Sequence, residues 1–125
     1  QAMDAAAAQF ASWQADMVDI LAQESKRIER GEFAPLSDTP LFRAAFNIHG
    51  QAESIGFGSV GRVAEMLCTY LEEQTELTAN GLSIVYQCVG TIAAMNREDV
   101  RTLEHPVAGA LVEALEVFIK KKSEA

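Results

Sequence analysis

Positive charge is scarce in this chain. Ten Lys and Arg stand against eighteen Asp and Glu, for a formal net charge of −8 at pH 7. Nucleic-acid phosphates demand basic side chains, so the balance argues against a nucleic-acid partner. It argues equally against an anionic membrane surface. Long hydrophobic runs are also missing: none reaches the roughly 20 residues of a membrane-spanning helix. The first residues lack the basic and apolar regions of a secretory signal, so a cytoplasmic protein is expected. Cysteine is nearly absent. Cys68 and Cys88 sit in apolar, helical contexts. They could form one disulfide, but without a secretory signal they read as reduced core thiols. There is no CxxC and no His cluster, so no zinc site, and no cofactor, is expected. No stretch alternates polar and apolar residues with a period of two, which removes the signal for half-buried strands.

What remains is helical. A chain of 125 residues, 49% hydrophobic and 22% charged, has the size and composition of one globular domain over residues 1–125. A first helix reads from Asp4 to Arg30, with Phe10, Trp13, Met17, Ile20, Leu21 and Ile28 as its stripe and Gly31 as its stop. Pro35 breaks the pattern, and Ser37-Asp38-Thr39-Pro40 reads as the start of a central helix, from Pro40 to Ile55, with proline in its first turn. A third helix, Ser59 to Leu77, carries Val60, Val63, Leu67, Tyr70, Leu71 and Leu77 inward. Its wet side holds Arg62, Glu65, Glu72 and Glu73. Asn80-Gly81 reads as a turn. The fourth helix, Leu82 to Arg97, turns Ile84 or Val85, Cys88, Ile92 and Met95 inward, with Gly90 as a close helix contact. Pro106 opens the last helix, His105 caps it or lies in the loop before it, and Val107, Leu111, Leu115 and Phe118 point inward. Lys120 to Lys122 suit the dipole at its C-terminal end. The expectation is all-α: an antiparallel up-and-down four-helix bundle with an additional N-terminal helix.

The central helix, LFRAAFNIHGQAESIGF from Leu41 to Phe57, has two faces. Leu41, Ala45, Ile48, Ala52 and Ile55 recur at four, three, four and three and form the core stripe. Phe42, Phe46, His49 and Glu53 repeat the spacing on another face. Phe46 lies roughly 200° around the helix from Ile48 and should point outward. Gly50 follows one turn after it. Glycine inside a helix costs about 1 kcal/mol relative to Ala, so a glycine beside an outward aromatic suggests that something approaches closely there.

This stretch resembles the centre of a histidine phosphotransfer (HPt) domain, the helical relay module of bacterial two-component signalling. The family pattern is His, any residue, an aliphatic, usually Lys, then Gly, with a second Gly six residues on. Ile48, Gly50 and Gly56 match at that spacing. Gln51, Gly56-Phe57, Arg62-Val63-Ala64 and Leu67-Cys68 also read like the family, especially its alphaproteobacterial members. Phe46, however, occupies the position of the phospho-accepting His, and His49 that of the usual Lys. The resemblance implies a four-helix core, often with an extra N-terminal helix. It also implies a docking surface for response-regulator receiver domains or a histidine kinase. Phospho-acceptance needs a nitrogen nucleophile with a free lone pair, and Phe46 has none. The reading is therefore a pseudo-HPt protein, not an enzyme, monomeric rather than dimeric. Its partner surface is Phe42, Arg43, Phe46, His49, Gly50, Gln51, Glu53 and Phe57: an apolar centre with a polar rim.

Two other readings stay open. His49, one turn from Phe46, is the alternative phosphoryl acceptor. The bundle could also be repurposed for self-association, with Phe42 and Phe46 at the contact. Plainer readings stand beside these: Phe46 as a lone exposed aromatic, His49 as an exposed polar helix residue, and Glu65, Glu72, Glu73 and Glu76 as a solvated face. Ser54 and Ser59 have no visible base, so a hydrolase has little support.

Overall fold

The computed structural model of the chain describes residues 2–29, 39–74, 78–98, 100 and 102–124, and no side chains at 2–11, 13, 14, 28, 29 and 55. The expectations for Phe10, Trp13, Ile28, Gly31, Pro35, Ile55, Glu76 and Leu77 lie outside what is described. Among the described residues there are five α-helices and no strand: α1 (Ala2–Glu29), α2 (Pro40–Ala52), α3 (Gly58–Glu73), α4 (Ala79–Arg97) and α5 (Pro106–Glu124). A single 3-10 turn, Glu53–Ile55, extends α2. None of these helices is long and apolar enough to cross a membrane.

Local chemistry sets the helix starts. Thr39 is in the extended region, and its Oγ1 accepts from the Phe42 N–H at 3.2 Å while Pro40 occupies the first turn. Thr78 does the same for α4, accepting from the Gly81 N–H at 3.0 Å. This corrects the expected Asn80-Gly81 turn: the cap binds the Gly81 amide, so both residues belong to the first turn of α4. His105 Nδ1 accepts from the Val107 N–H at 3.1 Å, the capping role expected of it.

The helices bury their stripes against one another. Leu21, Leu41, Ile48, Leu67, Leu71, Ile84, Ile92 and Met95 are the large, fully buried side chains. Each contributes about 1.5–3 kcal/mol by leaving water. The order of packing differs from expectation. Helix α1 contacts α2 and α4, α2 contacts α3, and α3 contacts α4, closing a ring of four. Helix α5 lies outside that ring, against α3 and α4. The additional helix is therefore the last one, because α1 carries the stripe that closes the core between α2 and α4. Two further corrections follow. Val107 is 48% exposed, since Ala108, Val112 and Leu115 form the inner face of α5. Gly90 is exposed, and a Cβ built there meets nothing within 4 Å, so among the described residues no helix packs closely on it.

The close approach is instead at Gly61. A Cβ there would lie 3.3 Å from both Ala52 Cβ and Glu53 Cγ, so the start of α3 rests on the end of α2. Gly56, at φ +86°, adopts the left-handed conformation that turns the chain between them. Ser59, fully buried, donates its Oγ–H to the Val100 carbonyl at 2.7 Å and ties the α4–α5 connection beneath this junction. Cys68 and Cys88 are both free and buried, as the sequence suggests. Burial pushes both thiols up to about 12, helped at Cys68 by Glu72 and Glu65.

Candidate functional site

Helix α2 faces two ways, as its periodicity requires. Leu41, Ala44, Ala45, Ile48 and Ala52 are buried. On the other side Phe46 is 57% exposed, the most exposed of the large apolar side chains described. Phe42, one turn earlier, is half-buried against the core, and its ring stacks on Phe46 with centroids 6.1 Å apart and planes 24° apart. The pair forms an apolar rib running from the core edge into solvent. Arg43, Asn47, Gly50, Gln51 and Glu53 are exposed around it. The sequence reading passed over Asn47, whose only signal was its place beside Phe46.

Gly50 sharpens the picture. A Cβ built on it meets nothing within 4 Å. No contact inside the described chain requires a glycine at this exposed helical position. Its cost of about 1 kcal/mol is not offset by internal packing.

His49 sits on the flank of α2 that faces α3, half-buried. Its Nδ1 is 3.3 Å from the Gly61 carbonyl oxygen. A carbonyl can only accept, so in this contact Nδ1 carries the hydrogen and a neutral ring keeps its lone pair on Nε2. Nε2 in turn lies 3.9 Å from a Glu65 carboxylate oxygen. Glu65 also accepts from Arg62 Nη1 at 2.8 Å, and Arg62 Nη2 reaches Glu116 on α5 at 3.5 Å. The series His49–Glu65–Arg62–Glu116 spans α2, α3 and α5. Each pair is partly exposed, so each contributes only about 0–1 kcal/mol. Only the Arg62–Glu65 spacing of three was legible beforehand, as an ordinary helix-surface pair. The contact of His49 with Gly61 and Glu65 needed the α2–α3 packing.

Phe57 does not belong to this surface. It is 4% exposed and part of the core. The left-handed turn at Gly56 carries the chain back over α2, and the Phe57 N–H bonds to the Ala52 carbonyl at 2.8 Å. That geometry drops the Phe57 ring inside, away from the face of Phe46. The other expected contact residues, Phe42, Arg43, Phe46, His49, Gly50, Gln51 and Glu53, lie along α2 from its first turn to the 3-10 turn after it.

Ser54 donates to the Gln51 carbonyl at 2.8 Å, and Ser59 is engaged with Val100. Among the described residues no three His, Cys, Asp or Glu side chains are grouped to hold a metal ion. Comparison with protein-family models, curated proteins and solved structures finds no match to this chain.

Proposed function

We propose that this chain is a pseudo-HPt protein: a helical adaptor whose α2 face binds a response-regulator receiver domain or a histidine kinase and carries no phosphoryl group. The observation that carries the reading is Phe46, an exposed phenyl ring at the position that the motif resemblance gives to the phospho-accepting His. Phe42 beneath it supplies an apolar anchor, Gly50 leaves room for close approach, and Arg43, Gln51 and Glu53 form the rim.

The surroundings of His49 support an adaptor over a relay. A phosphoryl group on Nε2 would place two further negative charges beside the Glu65 carboxylate, 3.9 Å from that nitrogen. Like charges at such a distance repel, and Arg62 is already engaged by Glu65 and Glu116.

The test is a phosphotransfer assay with several phosphorylated receiver domains and kinases, run beside a binding assay on the same proteins. Binding without label, weakened by Phe46→Asp while circular dichroism is unchanged, supports the adaptor. Acid-labile label that disappears in His49→Ala overturns it. Absence of binding to every receiver and kinase also overturns it, leaving a bundle repurposed for another partner.

A further inference from the structure

Helix α5 is apolar on two opposite sides. Its inner side, Ala108, Val112 and Leu115, is buried against the bundle. On the outer side Val107, Ala110, Ala114 and Val117 recur at three, four and three, and all four are exposed, Val107 at 48% and Val117 at 50%. At 100° per residue they fall within about 80° of one another and centre roughly opposite Val112. A 3.5-residue apolar repeat is the pattern of a helix–helix seam, and nothing among the described residues covers it.

We propose that a second copy of this chain covers the seam, α5 against α5, running antiparallel about a two-fold axis. Two features choose this occupant. The first is that the stripe reads the same in both directions: Val, a step of three, Ala, a step of four, Ala, a step of three, Val. A two-fold interface requires a patch complementary to itself. Reversed on itself, this stripe sets Val107 against Val117 of the second copy and Ala110 against Ala114. The central alanines let the axes approach to about 8 Å.

The second feature is charge. The approach to α5 carries Glu98, Asp99 and Glu104 against Arg97 and Arg101, a net charge of −1, whereas Lys120, Lys121 and Lys122 crowd the end of α5 against Glu124 alone. A parallel pair would set the two lysine clusters side by side. The antiparallel pair sets each cluster near the acidic approach of the other copy, with the helix dipoles opposed.

The seam spans only about 15 Å of helix. That is short of a standard interface, so the pair is weak: monomer near 1 µM and mostly dimer near 1 mM, as order-of-magnitude expectations. Sedimentation velocity across that range tests it. Ala114→Glu places an unpaired carboxylate in the seam and should raise the dimer Kd by about tenfold or more. The residue is exposed, so the fold should survive, as circular dichroism would verify. Phe46→Asp, on another face, should leave the dimer intact.

Orientation is read by cross-linking. A mixture of Val107→Cys and Val117→Cys chains should form the mixed disulfide faster than Val107→Cys links to itself. The native thiols are buried and should stay out of the reaction. A chain that is monomeric throughout overturns the proposal. So does a dimer indifferent to Ala114→Glu, one lost in Phe46→Asp, or faster self-linking of Val107→Cys.

Discussion

Two glycines separated by one helix junction should respond to the same substitution with opposite signs. Gly50 is exposed inside α2, and a Cβ built there meets nothing within 4 Å. Gly50→Ala therefore gains helix propensity without a clash, a stabilisation of about 0.5–1 kcal/mol. For a domain of this size that raises Tm by about 2–5 °C. Gly61 has the same propensity to gain, but its Cβ would lie 3.3 Å from Ala52 Cβ and Glu53 Cγ. The Glu53 chain can swing aside, whereas Ala52 is held by the α2 backbone. The two helices must then part by a few tenths of an ångström. Overpacking of this kind costs about 1–3 kcal/mol, so the net change for Gly61→Ala is a loss of up to about 2 kcal/mol. Urea melts followed by far-UV circular dichroism measure both. A Gly61→Ala chain as stabilised as Gly50→Ala would refute the close α2–α3 approach. A destabilised Gly50→Ala chain would refute the open notch. The same variant bears on the proposed adaptor role: Gly50→Ala should weaken receiver or kinase binding while stabilising the chain, and damage to the fold cannot produce that combination.

The remaining predictions concern the junction, the caps and the thiols. Ser59→Ala leaves the Val100 carbonyl without its 2.7 Å buried donor and should cost about 1–3 kcal/mol, measured by urea denaturation. Thr39→Ala removes the α2 cap on the Phe42 amide, at the start of the candidate face, and Thr78→Ala removes the α4 cap on the Gly81 amide; each should lower stability by about 1 kcal/mol in the same assay. Cys68 and Cys88 have thiols raised from 9.0 to about 12, so above pH 9 the unfolded chain releases these protons before the folded chain does. Their contribution to stability is complete below about pH 9 and is lost as pH rises toward 12. Stability against urea should fall across that window, less steeply in Cys88→Ala; an equal slope in both chains would contradict the buried, protonated thiol.

The sequence by itself determined where the helices lie and which side of α2 turns outward. Leu41, Ala45, Ile48 and Ala52 repeat once per turn, and that repetition depends only on helix geometry, so the exposure of Phe46 followed from counting. The start of α2 at Pro40 and the burial of Cys68 and Cys88 were legible for the same local reason, whereas the choice of Thr39 as its cap came from the structure.

Only the tertiary structure could decide which helices adjoin. On α5 the stripe through Val107, Leu111, Leu115 and Phe118 overlaps one through Ala108 and Val112; packed on α3 and α4, the helix buries Ala108, Val112 and Leu115, keeps Leu111 and Phe118 half-buried against the core and leaves Val107 in water. Phe57 lies in a junction with no period to read, and the left-handed turn at Gly56 sends it into the core. His49 finds the Gly61 carbonyl and Glu65 only because the small residues Gly61 and Ala52 let α3 lie close along α2. Side-chain periodicity is a property of one helix, whereas the neighbour that fills each groove is set by contacts between residues far apart in the chain.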